Sequence, residues 1–156
     1  RLILRQITTA DATEIFILRS DEKVMEFFDR PRAKLIEDAL EQIQKVESAF
    51  KNNEGITWAI TLKDNNTLIG TIGFWRIIKE HHRAEIGYML HNNFQRKEIM
   101  QEALTTLLNY GFEIIKLHSV EANVNPLNTA SIKLLEKNNF IKEAYFKENF
   151  YYNGKF

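Results

Sequence analysis

Two rhythms of apolar and polar residues run through this chain. Leu2 to Ile7 alternates with the two-residue period of a strand. Leu35, Ile36, Ala39, Leu40, Ile43, Val46 and Phe50 recur at helical spacing, so the pattern predicts an amphipathic helix over 34–51, ended by Asn53-Glu54-Gly55. Before it, Thr8 to Asp11 reads as a helix cap, followed by a helix carrying Ile15, Phe16 and Leu18. An irregular stretch from Asp21 to Asp29 is broken by Pro31. Ile56 to Leu62 and Thr67 to Ile78 read as a hairpin around the polar turn 63–66, and Ala84 to Leu90 as a further strand. A helix from Ile99 to Ile115 gathers Met100, Ala103, Leu104, Leu107, Leu108 and Gly111 on one face. A strand over 119–124, a helix over 128–137 and a strand over 140–150 complete the prediction, with Tyr152-Asn153-Gly154 a turn.

The predicted order is strand, two helices, three strands, helix, strand, helix, strand. It implies an α/β (α+β) domain with a mixed sheet and helices on both faces. At 156 residues the chain reads as a single domain over 1–156, long enough to bury a sizeable core. The turn at Asn153-Gly154 sits close to Phe156, as if one more strand should follow it.

Composition narrows the chemistry. Lysine plus arginine balance aspartate plus glutamate at 21 each, which argues against a dedicated nucleic-acid binder. The absence of cysteine excludes disulfides, thiolate catalysis and cysteine metal sites, and fits a cytoplasmic protein. No apolar run approaches the roughly 20 residues that span a bilayer, so no membrane association is expected. His81, His82, His91 and His118 show no ligand spacing, so no metal is expected; His91, beside a strand end, is the one to watch. A nucleotide-binding reading lacks its Gly-x-Gly-x-x-Gly loop.

Two blocks carry the functional signal. The strand Ala84-Glu85-Ile86-Gly87-Tyr88-Met89-Leu90 runs into a short basic loop, Gln95-Arg96-Lys97-Glu98, which opens into the helix at Ile99-Met100. A helix start of this kind aims free amides and a positive dipole end at one point, as a phosphate requires. Further on, Asn125-Pro126-Leu127-Asn128-Thr129-Ala130-Ser131 places a polar turn at another helix start.

Taken in this order, the two blocks resemble the GNAT superfamily of acetyl-CoA-dependent N-acetyltransferases. They look most like its Rim-type branch, which acetylates protein N-termini, ribosomal ones among them. The resemblance extends from Leu2 to Gly154. It implies a mixed, mostly antiparallel twisted sheet of about six to seven strands, with a V-shaped split between the strands 84–90 and 119–124. It implies acetyl-CoA as co-substrate, with the pyrophosphate on Gln95, Arg96, Lys97, Glu98, Ile99 and Met100. The pantetheine arm would lie against the main chain of Met89 and Leu90 and the side chains of Asn128 and Ser131. Asn128 is equally suited to capping its helix.

Two positions depart from the family pattern. Glu98 and Met100 stand where the loop has small residues, and Glu98 would repel a pyrophosphate unless its side chain turns outward.

For the chemistry, Glu121 and Glu85 are the candidate bases, each also readable as an exposed strand residue or a structural ion pair. Ser131 could protonate or hydrogen-bond the leaving sulfur or solvate the first helical turn, and Tyr88 and Tyr110 read mainly as packing residues, although a tyrosine could also act as acid. Phe27, Phe28, Arg30 and Trp75 could line the acceptor groove. The acceptor implied is a primary amine, foremost a protein or peptide N-terminus, with polyamines and aminoglycosides left open. A non-catalytic acyl-CoA-binding or interaction module on the same fold is the competing reading. Monomer and homodimer are both compatible with the chain.

Overall fold

The strands lie side by side in chain order in the computed structural model, which describes residues 1–156. They are β1 (Leu2–Gln6), β2 (Ile56–Leu62), β3 (Asn65–Ile78), β4 (Arg83–Leu90) and β5 (Ser119–Glu121). The first four are antiparallel, and β5 joins β4 in parallel. The helices are α1 (Ala12–Ser20), α2 (Ile36–Lys51), α3 (Ile99–Tyr110) and α4 (Thr129–Lys137). A parallel pair needs a long crossover, and α3 supplies it between β4 and β5.

Strand alternation divides the core in two. One face of the sheet carries Ile72, Phe74, Ala84, Ile86 and Leu90 against Ile99, Ala103, Leu104 and Leu107 of α3 and Leu135 of α4. The other carries Ala59 and Leu68, with Met89 beside them, against Ile15 and Leu18 of α1 and Ala39 and Ile43 of α2. Of the apolar stripe expected on α2, only Ala39 and Ile43 are buried; Leu40 and Phe50 face water. A bidentate pair, Arg5 Nη1 and Nη2 to the Asp11 carboxylate at 2.9 and 2.7 Å, pins β1 to the turn before α1.

Three expectations need correction. Phe140 to Phe150 forms no strand, so the sheet has five strands rather than six or seven. The segment lacks a clean two-residue alternation, and a lone extended chain has no ladder partner for its amides. Its Ile141, Tyr145, Phe146 and Phe150 stay exposed. The helix expected to reach Ile115 ends as α3 at Tyr110 and widens into a π turn over Gly111–Ile115. The strand expected to reach Val124 stops at Glu121, because the chain turns away from β4 there.

Candidate active site

The early end of β5 opens the sheet. Pairing runs Arg83 with Ser119, Ala84 with Val120 and Glu85 with Glu121, and then ceases, while β4 continues alone to Leu90. On its other edge β4 stays zipped to β3 as far as Leu90 opposite Gly70. The His91 amide donates to Ile69 C=O at 2.9 Å. Antiparallel alternation therefore also turns the Met89 main chain towards its partner Thr71. Tyr88 and Leu90 are left to present their main-chain groups to the parted edge. The Gln95 side chain donates to the Leu90 carbonyl at 3.1 Å, closing the loop back on the strand end.

Past that strand the loop frees a run of donors. The first α-helical hydrogen bond of α3 is Glu102 N–H to Glu98 C=O at 3.1 Å. The amides of Arg96, Lys97, Glu98, Ile99, Met100 and Gln101 therefore have no main-chain acceptor. Arg96 (φ 61°) and Glu98 (φ 60°) both adopt the left-handed conformation. That geometry gathers successive amides into a concave anion nest, at a strain of about 1–2 kcal/mol per non-glycine residue. The Glu98 side chain points outward and accepts from Lys137 Nζ of α4 at 2.7 Å, so its charge is paired away from the nest. Its amide stays with the others. Arg96 and Lys97 are exposed cations at the same place, and Lys97 also lies 5.6 Å over the Phe94 ring.

The two faces of the sheet bring different chemistry to the parting strands. On the α1/α2 face, the two candidate bases share one cation: Arg76 Nη2 donates to Glu85 Oε2 at 2.7 Å and to Glu121 Oε1 at 3.2 Å. Asn123 Nδ2 donates to the other oxygen of Glu85 at 2.8 Å. Glu85 is thus buried with both oxygens engaged, whereas Glu121 is 40% exposed with one oxygen free of protein partners. A bulge in β3 between Phe74 and Arg76 brings Arg76 opposite Glu85.

On the α3/α4 face, Tyr88 Oη and Ser131 Oγ lie 2.5 Å apart and tie β4 to α4. Burial raises the Tyr88 phenol above its ordinary value, more than the Ser131 hydrogen bond lowers it, so it stays protonated at neutral pH. Asn128 caps α4, its Oδ1 accepting the Ser131 amide at 3.2 Å. His91 caps the turn after β4, its Nδ1 accepting the Asn93 amide at 3.2 Å.

Residues 1–141 match the family described as acetyltransferase (GNAT) domain. The chain belongs to the GNAT acetyltransferases. The uncharacterized N-acetyltransferase YoaA of Bacillus subtilis is 38% identical over 154 residues, covering 99% of this chain and 87% of that protein. The [ribosomal protein uS5]-alanine N-acetyltransferase of Escherichia coli is 31% identical over 93 residues, 59% of this chain and 48% of that one. The spermidine N(1)-acetyltransferase of Vibrio cholerae is 23% identical over 157 residues, all of this chain and 88% of the other. A GNAT-family acetyltransferase structure from Bacillus anthracis superposes with a TM-score of 0.87 at 28% identity, covering 99% of this chain and 89% of that one.

This GNAT enzyme is therefore an N-acetyltransferase on an α+β fold with a five-stranded, mostly antiparallel sheet. None of its helices is long and apolar enough to cross a membrane. Three partners at its site escaped the sequence: Arg76, Tyr88 as the mate of Ser131, and Lys137 as the mate of Glu98. Each depends on contacts between elements distant in the chain. Only the Tyr88 position had a local signal, lying in the same Glu-Ile-Gly-Tyr block as Glu85.

Proposed function

We propose that this enzyme moves the acetyl group of acetyl-CoA directly to the primary amine of a protein or peptide N-terminus, in a ternary complex. One observation carries the reading: the free amides of residues 96–101 adjoin the unpaired edge of β4, so an anion nest and an amide-pairing edge form one continuous surface. That surface matches a pyrophosphate joined to a peptide-like arm. The fit holds at Glu98 as well, because its carboxylate is drawn to Lys137 while its amide stays in the nest.

When bound, acetyl-CoA supplies an activated acyl thioester. The chain's own groups do the rest. Glu121, half exposed and with one oxygen free, takes the proton of the incoming ammonium through water. An α-amine, with a pKa near ~8, asks less of such a base than a lysine at ~10.4. Asn123 holds Glu85, Glu85 holds Arg76, and Arg76 in turn orients Glu121. The Leu90 amide at the parted edge offers a hydrogen bond to the charge that develops on the acyl oxygen. Ser131, backed by the protonated Tyr88 hydroxyl, stabilises the departing sulfur from the opposite face. Base and leaving-group donor thus reach the split from opposite sides of the sheet. The cysteine-free chain suits a reducing cytoplasm.

Thermal unfolding with and without acetyl-CoA, paired with a thiol-release assay, tests the proposal. Acetyl-CoA at about 100 times its Kd should stabilise the fold by about 2.7 kcal/mol, and peptides with free N-termini should release CoA thiol. Stabilisation without thiol release from any amine would instead support a non-catalytic acyl-CoA-binding module. An unchanged Tm would remove both readings.

A further inference from the structure

Beside the α1/α2 face lies a cleft of ≈ 440 Å³ that the mechanism leaves unused. Arg19, near the C-terminal end of α1, lines it. Lys45, Arg32 and Lys34 contribute further cations to its walls. Its two acids are already engaged. Asp38 Oδ2 accepts the amides of Lys34 and Leu35 at the start of α2, at 2.8 and 3.0 Å. Glu41 lies 3.7 Å from Lys45, one helical turn on. Arg19 and Arg32 have no carboxylate partner, and Lys34 has only the nearby charge of Asp38.

Arg19 is the unusual one. It is partly buried, yet the only neighbouring charge that perturbs it is the like charge of Arg30. Desolvation, and behind it Arg30, holds its guanidinium below the ordinary arginine value. Burying a cation without a counter-ion is unfavourable, and an incoming anion would relieve it.

The cleft also leads towards the chemistry. Arg19 and Gln42 line a second, ≈ 30 Å³ cavity as well, which Met89 of β4 also lines. Asn92, in the turn after β4, donates to Asp21 just beyond α1 at 2.9 Å, so the end of α1 is tied to the end of β4.

Resting on the transferase reading above, we propose that this cleft binds the acceptor and that the acceptor is an acidic peptide: a free N-terminus followed by glutamate or aspartate side chains that pair with Arg19, Arg32 and Lys34. A polyamine would meet a wall of like charge, which disfavours the wrong partner as strongly as opposite charge favours the right one.

The test compares three acceptors in the thiol-release assay: a hexapeptide Ser-Ala followed by four glutamates, the same peptide with four lysines, and spermidine. The glutamate peptide should show a kcat/KM about ten-fold or more above the other two at low salt, an advantage that shrinks as ionic strength rises. Arg19→Gln should raise the KM for the glutamate peptide much more than it lowers kcat, bringing the glutamate-to-lysine ratio within about two-fold. The double variant Arg32→Gln/Lys34→Gln, confined to the exposed rim, should shrink the ratio in the same direction without disturbing the fold. Preference for spermidine or the lysine peptide, or a ratio unmoved in both variants, overturns this inference while the transferase reading stands. Thiol release from none of the three in the presence of acetyl-CoA overturns both.

Discussion

The two edges of β4 teach opposite lessons. Towards β3 the strand is zipped along its length, and the joint is tight enough that Gly70, opposite Leu90, has no space for a side chain. A Cβ on Gly70 would lie 2.6 Å from Met89 C=O and 3.2 Å from Leu90 Cα. Towards β5 the ladder stops after Glu85, and a Cβ on Gly87 would meet only the Trp75 side chain, at 3.3 Å. One edge uses its main-chain hydrogen bonds for stability. The other withholds them, leaving groups for a ligand to satisfy. The left-handed Glu98 and Arg96 belong to the second edge, where strain shapes donors rather than packing.

The sharpest way to break this contrast is a pair of alanines. Gly70→Ala should destabilise the fold by about 3 kcal/mol or more, since the main chain of Met89 and Leu90 must move. Gly87→Ala, beyond the point where β5 leaves the strand, should stay within about 1 kcal/mol of wild type because one side chain can give way. Urea denaturation of both reads the difference, and equal losses would mean that the two edges are alike.

Next comes the pair of glutamates. Glu121→Gln should lower kcat about 100-fold with Tm nearly unchanged, as expected for loss of a general base. Glu85→Gln should lower stability by about 2 kcal/mol, because it strips a buried partner from Arg76. Steady-state kinetics and thermal melts on the same two proteins separate the roles.

The zipped half also has a pH signature. Burial alone would raise the Asp11 carboxyl, but its bonds from Arg5 and from the Thr8 amide outweigh that and leave it below the ordinary range. A depressed carboxylate stabilises the fold above its unfolded pKa of about 4 and loses that contribution as pH falls through the lower folded value. Asp11→Asn should therefore flatten the fall in stability below about pH 4, which acid titration followed by circular dichroism will show.

The smallest effect belongs to Glu98→Gly. Relief of the left-handed strain should add about 1 kcal/mol of stability, offset slightly by loss of the exposed Lys137 pair. Acetyl-CoA affinity should change less than about three-fold, because the carboxylate already points away from the nest. Calorimetric titration of both proteins checks it.

Local patterns made much of this fold legible. Period-two and helical spacing gave the strands of the zipped half and the helix starts, and Asn128 capped its helix as residue type alone suggests. What escaped depended on distance in the chain. Where β5 leaves β4 is decided by Asn123 reaching back to Glu85, a contact across 38 positions that no local pattern encodes. The aromatic segment 140–150 has strand-like composition, but a strand exists only with a neighbour, and none pairs with it. The acidic residue in the loop before α3 looked like an obstacle because its partner, Lys137, lies 39 residues away.

Amide hydrogen exchange with and without acetyl-CoA tests the central claim most directly. Protection should rise at the amides of residues 96–101 and at Tyr88 and Leu90, while β1 to β3 stay as they are. Saturating acetyl-CoA that leaves those amides exchanging as before, or protects a different surface, would contradict the account.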